Sequence, residues 1–513
     1  MRKLLTLLLV AAMIVASFGA FAVAEEAPFV ITVHLPYYAD VEPVGCTGEE
    51  GNPLLEKIEE EFNVDLQITW APQGDYTTKF NTVMASDDQP MVMVINSGIT
   101  TNANYIQMCK DGAFWDLTDY IVNNEFIMSE LASVSSLAIT SVEGRNYLFP
   151  SMAAAARVGI LYRADWLEAL NAKGYNLVVP NDIDSFKAMV EAFTTGDPDG
   201  NGIADTIGFA YCDNKDNELT YAGFNTLAVM NGAPNYWGED ENGDLMPYFF
   251  FDEYVETLDL FNWMYENGYM NTDFAINTDK HGPLANGVSG SMITTATNAA
   301  GTKYANVVNV HPNAVIAQNQ DLFNVYGEQT INSVLTVGGL GGILIPTASV
   351  KDAETVQKII DFIVAMNDQG GIYLACGVED LHWTRNEDGT ISVSDEQKQL
   401  RLDDGSSEVF ASMFPRRVQS LDYGQGLSAT QKITAHSLSI EKFCVVDESI
   451  GYMSDASRAL QTEIATIISD ARVAYMSGAI DAEGFEAARQ EWLAAGGQQI
   501  IDQVNESYHA ANN

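Results

Sequence analysis

Met91-Val92-Met93-Val94-Ile95 is a continuous apolar run, too short for a helix and flanked by Pro90 and Asn96. Such a run suits a strand buried on both faces, the environment of a parallel sheet covered by helices. Working back from it, Tyr76 to Ala85 has helical spacing and Val64 to Trp70 reads as a strand. Pro53 opens a helix with Leu54, Leu55, Ile58 and Phe62 on one face, and Ile31 to Leu35 is a short β-rich run. The order β-α-β-α-β predicts an α/β lobe on a parallel sheet. In such sheets ligands collect at the carboxyl ends of the strands. Those ends carry Tyr37 and Tyr38, the stretch from Trp70 to Asp75, and Asn96 with Ser97.

Further along, Gly144 to Pro150 reads as a strand ending at a boundary, followed by the small residues Ala153 to Ala156. Helices are expected from about Asp165 and from Asp182. The second has Ile183, Phe186, Met189, Val190 and Phe193 on one face. The glycine-dense Gly338 to Gly342 leads into Ile343-Leu344-Ile345 as a candidate hinge. The tail reads as helices over Arg458 to Met476, Asp481 to Ala495 and Gln498 to His509, with Asp481 as an N-cap.

The Asp182 helix runs into Asp197-Pro198-Asp199-Gly200-Asn201-Gly202-Ile203-Ala204-Asp205. Oxygen-bearing side chains at 197, 199, 201 and 205, the Ile203 carbonyl and a glycine at 202 follow the first three quarters of an EF-hand loop. The twelfth position, which closes an EF-hand with a bidentate Glu, is Gly208. The spacing points to a calcium site completed by other groups or by water, with an acidic Asx-type turn as the alternative.

Met1 to Ala24 reads as a secretory signal: Arg2 and Lys3, an apolar run to Phe21, and the small-x-small Ala22-Val23-Ala24. No later run is long and apolar enough to span a bilayer, and no cysteine closes the signal as a lipoprotein would require. The mature chain is therefore expected to be soluble, outside the cytoplasm and without a lipid anchor. Five cysteines, at 46, 109, 212, 376 and 444, form no metal-ligand or dithiol spacing. With 25 basic against 70 acidic residues the formal net charge is −45. Such a surface repels nucleic acid and anionic lipid, and it disfavours an anionic ligand unless a local basic pocket offsets the field.

Several motifs recur in one order: Glu143-Gly144-Arg145-Asn146-Tyr147-Leu148-Phe149-Pro150, Arg163-Ala164-Asp165-Trp166-Leu167, the 197–205 loop, Met264 to Phe274, and Gly377-Val378-Glu379-Asp380-Leu381-His382-Trp383. In this the chain resembles the bacterial extracellular solute-binding proteins of sugar-importing ABC systems (family 1). The similarity is strongest to the large oligosaccharide-binding branch that includes calcium-containing alginate-binding proteins. It departs from their pattern at Pro90-Met91, where a Pro-Asp is usual, at Thr206, where an acid often follows the loop, and in lacking a lipobox cysteine.

The resemblance implies a periplasmic-binding-protein-like type II fold with two α/β lobes and a multi-crossing hinge. Lobe one would hold 28–150 and 342–380, and lobe two 151–341 and 381–513. It implies a monomeric, non-catalytic receptor that closes on an oligosaccharide and delivers it to an ABC permease. Sugar sites pair aromatic faces with planar polar groups, which selects Tyr37, Tyr38, Asp75, Asn96, Ser97, Trp237, Asn298 and Trp383 as ligand-binding candidates. Asp75 has a competing assignment as helix N-cap. Asp197, Asp199, Asn201, Ile203 and Asp205 are the candidate ligands of a structural Ca2+. Trp166, Trp263 and Trp492 are expected in the core. The six histidines are scattered, and neither HExxH, GxSxG nor a nucleotide loop occurs. The rival readings are a peptide receptor, a receptor feeding a sensor, and an exported glycan-active enzyme.

Overall fold

In the computed structural model the 91–95 run is a strand with all four of its residues, Val92–Ile95, buried. The structure describes residues 27–37, 51–72, 75–95, 103–132, 134–150, 154–213, 222–277, 279–300, 304, 306–334, 341–403, 422, 424 and 426–512. The expected signal peptide, Tyr38, Cys46, Asn96, Ser97, Ala153 and Gly338 to Leu340 lie outside the described residues.

Eight strands build the two main sheets: β1 (Phe29–Tyr37), β2 (Val64–Pro72), β3 (Val92–Ile95), β4 (Phe149–Pro150), β5 (Val158–Arg163), β6 (Ser291–Thr295), β7 (Ile316–Asn319) and β8 (Gly342–Leu344). The first sheet runs β2-β1-β3-β8-β4. β1 is parallel to β2 and β3, as the β-α-β-α-β order predicts. β8 is antiparallel to both β3 and β4. The sheet is thus mixed, because β8 enters it from the far side after the chain has built the second sheet. That second sheet, β6-β5-β7, is antiparallel throughout.

The helices form where capping and periodicity coincide. Asn52 accepts from the Leu54 and Leu55 amides at 3.0 and 3.1 Å and starts Pro53–Phe62, and Asn63 ends it in the left-handed conformation. Leu54, Leu55 and Ile58 are buried against the first sheet with Val356, Ile359 and Ile363 of the helix Ala353–Asp368. Asp182 forms a reciprocal capping box with Ser185 and starts Ile183–Thr195. That helix buries Phe186, Met189, Val190 and Phe193 in the larger core. Each buried Phe contributes about 1.5–3 kcal/mol relative to an exposed one.

The C-terminal helices Asp455–Met476, Ala482–Trp492 and Gln498–Asn512 pack on this same core. Asp481 caps the second of them through the Gly484 amide at 3.0 Å, as its position predicts. Trp166 and Trp492 are buried as expected, while Trp263 is partly buried at the core margin.

One expectation fails locally. Gly144 to Pro150 is not one strand. Glu143 and Gly144 both take positive φ, 50° and 75°, and close a tight turn in which Val142 and Arg145 exchange backbone hydrogen bonds. Only Phe149–Pro150 joins the sheet.

Candidate functional site

The carboxyl ends of the parallel strands put Tyr37 opposite Pro72 in the β1–β2 register, with Tyr37 partly exposed. Three residues beyond β2, Asp75 stands exposed before the helix Tyr76–Met84. It occupies the N-cap position but in a helical conformation (φ −102°, ψ −1°), and its side chain caps nothing. The helix is held instead by Tyr76, whose hydroxyl donates to the His34 carbonyl at 3.0 Å while its ring stacks on the His34 imidazole at 5.4 Å. His34 Nδ1 lies 2.8 Å from Thr69 Oγ1. Burial, and secondarily Lys79, lowers the His34 pKa and keeps the ring neutral at pH 7. The rim of the first sheet is therefore rigidly supported from beneath.

On the second sheet, β6 runs directly into the turn Ala296–Ala299, which carries the half-buried Asn298. The Ala296 amide donates to the Arg157 carbonyl at 2.9 Å, tying this turn to the start of β5. Next to it lies a buried polar network that sequence reasoning missed. Gln320 Nε2 donates to the Ala156 carbonyl at 2.7 Å and to Ser437 Oγ at 2.8 Å. Asn235 Nδ2 donates to the Ser333 and Val445 carbonyls at 2.8 and 3.0 Å. Glu441 Oε1 accepts from the Ala155 amide at 2.8 Å. This network ties Ala155 and Ala156, at the entry to β5, to the segments around Gln320, Ser333, Ser437 and Val445. The only available signal was Asn235 itself, two residues before the Trp237 that drew notice for its aromatic ring.

Trp237 is 3% exposed and opens the strand Trp237–Glu239, paired through Pro247. Its indole belongs to the large core, which does not offer the ring to a ligand as expected of a ligand-binding candidate. Trp383 is 1% exposed; its Nε1 donates to the Gly377 carbonyl at 2.9 Å, and the Arg385 guanidinium covers the ring at 4.7 Å. The surrounding 377–383 motif is a backbone knot. Gly377 and Asp380 have φ of 85° and 64°, and a Cβ on Gly377 would lie 2.5 Å from His382 Nδ1. In this conformation both tryptophans pack inside the protein.

The Arg163-Ala164-Asp165-Trp166 motif is likewise structural. Arg163 grips Asp165 with two hydrogen bonds of 2.8 and 2.6 Å and lies 4.5 Å over the Trp166 ring.

In the acidic loop Asp197 has φ 50°, and its Oδ1 accepts from the Gly202 amide at 3.1 Å. That amide, with a smaller contribution from Lys173, holds the Asp197 carboxyl below its ordinary pKa. Asn201 Nδ2 donates to Asp199 Oδ2 at 2.8 Å and to the two Asp205 oxygens at 3.3 and 3.4 Å. The Asn201 amide thus lies between the Asp199 and Asp205 carboxylates, and the loop's donors are hard oxygens, the chemistry calcium takes. Three or more His, Cys, Asp or Glu side chains gathered as a preformed metal cage do not occur among the described residues. A closing acid is excluded by packing. A Cβ on Gly208 would lie 2.1 Å from the Val190 carbonyl oxygen, and Thr206 is buried with its hydroxyl donating to the Phe193 carbonyl at 2.9 Å.

Among the described residues Cys109, Cys212, Cys376 and Cys444 form no disulfide. Burial pushes Cys109 and Cys444 up to about 12 and Cys376 to about 11, which leaves them unreactive at pH 7.

Two sheets, each packed with helices, define a two-lobed α/β protein of the type II periplasmic-binding class. Residues 54–373 match the model of the bacterial extracellular solute-binding protein family, and the chain belongs to that family. It is 28% identical over 472 residues to lipoprotein LipO of Bacillus subtilis, covering 90% of this chain and 89% of LipO. It is 26% identical over 468 residues to the polygalacturonan/rhamnogalacturonan-binding protein YtcQ of the same organism, covering 89% and 88%. Its fold matches the Streptococcus pneumoniae ABC-transporter substrate-binding protein FusA, solved as an EF-hand mutant in complex with fructo-nystose. There the TM-score is 0.60 at 16% identity, over 94% of this chain and 100% of FusA. Among the described residues no helix is long and apolar enough to cross a membrane.

Proposed function

We propose that this protein is an exported receptor that captures an oligosaccharide between its lobes and delivers it to an ABC permease, performing no chemistry of its own. The observation that carries the reading is the strand edge itself. An aromatic residue, Tyr37, ends β1 and a carboxylate with no capping role, Asp75, follows β2, at the carboxyl ends where α/β sheets bind ligands, in a fold that matches a fructo-nystose-bound protein over 94% of this chain. YtcQ, named for binding pectic polysaccharides, supports the same class of ligand. Asn298, Tyr38, Asn96 and Ser97 complete the proposed contact set, while Trp237 and Trp383, packed inside the protein, leave it.

In this reading lobe one comprises 28–150 and 342–380 and lobe two 151–341 and 381–513, with ligand shifting the population toward the closed form. A signal at 1–24 directs export, and the mature receptor is a monomer. The loop at Asp197, Asp199, Asn201, Ile203 and Asp205 would hold a structural Ca2+ with water completing its shell. The EF-hand named for FusA supports that assignment.

A glycan panel read by thermal shift tests the function. A cognate saccharide at a hundred times its Kd should add about 2.7 kcal/mol of stability. Stabilisation by peptides and by no saccharide would refute the reading, and turnover of a bound oligosaccharide would refute the absence of chemistry. For the metal, chelator should lower the melting temperature and calcium restore it. An unchanged melt with no calcium found by elemental analysis would remove the ion.

A further inference from the structure

β2 is the edge strand of the first sheet, and a groove of about 1080 Å³ follows it from Asp65 to Trp70. The helices Pro53–Phe62 and Tyr76–Met84 supply its walls. It runs along the flank of the strand and not across the carboxyl ends of the sheet. Alternation puts Asp65, Gln67 and Thr69 on one face of β2, in register with Val30, Thr32 and His34 of β1. Glu59 and Asp65 line one end of this groove, and His34 and Thr69 line it roughly 13 Å further along the strand.

The two ends ask for different chemistry. At the first, Glu59 Oε1 accepts from the Leu66 amide at 2.8 Å. Burial raises the Glu59 carboxyl against that hydrogen bond, and the neighbouring Asp65 and Glu56 charges raise it further. None of these three acids has an ion pair among the described residues, and Lys57, on the same helix, is turned to Glu60 and Glu61. At the second end, His34 is 6% exposed and its Nε2 has no partner among the described residues. Thr69 donates its one hydroxyl proton to the Val33 carbonyl at 3.2 Å. The 2.8 Å contact between His34 Nδ1 and Thr69 Oγ1 is therefore an Nδ1–H donating, which leaves Nε2 a bare acceptor. Lys79 lines this end and its charge reaches the His34 ring, so a second ammonium is repelled there and an uncharged donor is favoured. Charged side chains guard many edge strands, and guarding accounts for Glu59 on the Leu66 amide. It does not account for a buried imidazole acceptor left without a donor beneath the groove.

We infer that the groove along β2 is a second binding site, and that it takes a short amino-oligosaccharide with an ammonium at Glu59 and Asp65 and a hydroxyl donating to His34 Nε2. The site is independent of what the cleft between the lobes binds. The test is titration calorimetry on the full chain in about 0.15 M salt, where diffuse attraction to a net charge of −45 is screened. The probes are a glucosamine trisaccharide, its N-acetylated counterpart, and spermidine as an amine without hydroxyls.

The glucosamine probe is expected to saturate one site, about tenfold or more tighter than either of the others, since one charge-assisted contact is worth roughly that factor. Glu59→Gln keeps an oxygen for the Leu66 amide and should erase the preference over the N-acetylated probe. His34→Asn keeps a donor towards Thr69, removes Nε2 and should weaken the glucosamine probe about fivefold. Both variants should melt with the wild type; where His34→Asn does not, Glu59→Gln decides. Equal affinity of the wild type for the N-acetylated probe or for spermidine would overturn the inference. Binding of none of the probes, or glucosamine binding that Glu59→Gln leaves unchanged, would do the same. Loss of glucosamine binding in Tyr37→Ala would put the probe in the cleft and overturn the second site while leaving the saccharide-receptor reading intact.

Discussion

Arg472 and Asp213 form an ion pair deep in the second lobe, and breaking it should be among the most damaging single changes to this protein. Arg472 Nε and an Arg472 terminal nitrogen meet the two Asp213 oxygens at 3.0 and 2.6 Å, with side chains only 5% and 1% exposed. The Arg472 guanidinium also lies 5.4 Å from the Phe224 ring, so the pair ties the helix Asp455–Met476 to the aromatic core. Removing one partner leaves the other charge buried and unsolvated, at a cost of about 3–5 kcal/mol. Arg472→Met and Asp213→Leu should each cost that much. The two together exchange a desolvated pair for apolar packing, and their combined cost should fall to about 0–3 kcal/mol, far below the roughly 6–10 kcal/mol of simple addition. Urea titrations followed by circular dichroism measure all four corners of this cycle. In thermal melts each single variant should lose about 6–20 °C, at about 2–4 °C per kcal/mol for a lobe of this size. Single variants costing under about 1 kcal/mol, or strictly additive costs, would refute the argument that an uncompensated charge dominates.

Gly208→Ala should destabilise the second lobe by several kcal/mol, because the new methyl meets the Val190 backbone at 2.1–2.6 Å and neither segment is free to withdraw; a melt within 2 °C of wild type would show that the helix yields. Asp447 supplies a pH dependence. Burial pushes its carboxyl up to about 7, against the opposing hydrogen bonds from the Ser449 amide and hydroxyl at 3.0 and 2.7 Å. The folded pKa lies above the unfolded value near 4, so the folded state holds more protons between those limits. Stability from this group is greatest below about pH 4 and falls as pH rises to about 7, by at most about 4 kcal/mol. Asp447→Asn should flatten that slope in urea melts taken from pH 4 to 7.5, and an unchanged slope would remove Asp447 as its source.

The first sheet was legible because buried parallel strands and capped amphipathic helices are local patterns. Pro53, Asn52 and the apolar run at 91–95 each imply their structure within a few residues. The antiparallel β8 was not, since its direction depends on the chain having first completed a second sheet nearly two hundred residues long. Turn chemistry hid the 143–144 reversal, because Glu143 adopts a positive φ that its side chain does not favour. The candidate site was readable only in part for a related reason. Aromatic residues announce themselves whether they face a ligand or a core, and Trp237 and Trp383 face the core here. The polar network around Gln320, Asn235 and Glu441 joins residues more than a hundred positions apart, so no spacing rule could have assembled it.

The 197–205 loop shows the same limit from the other side. Its spacing pointed to an EF-hand, and Gly208 looked like the loss of a ligand. Packing gives that glycine a positive reason: it passes so close to Val190 that any side chain collides, while Thr206 spends its hydroxyl on the carboxyl end of the same helix. The segment after the loop is therefore committed to returning the chain along the helix Ile183–Thr195 and into Phe209 and Ala210, which bridge to Met270 and Met292. A loop whose exit is fixed by packing cannot swing a closing acid at 206 or 208 onto an ion. The cation proposed for this loop would therefore staple the surface around the helix Ile183–Thr195 and would be poorly suited to report on calcium concentration.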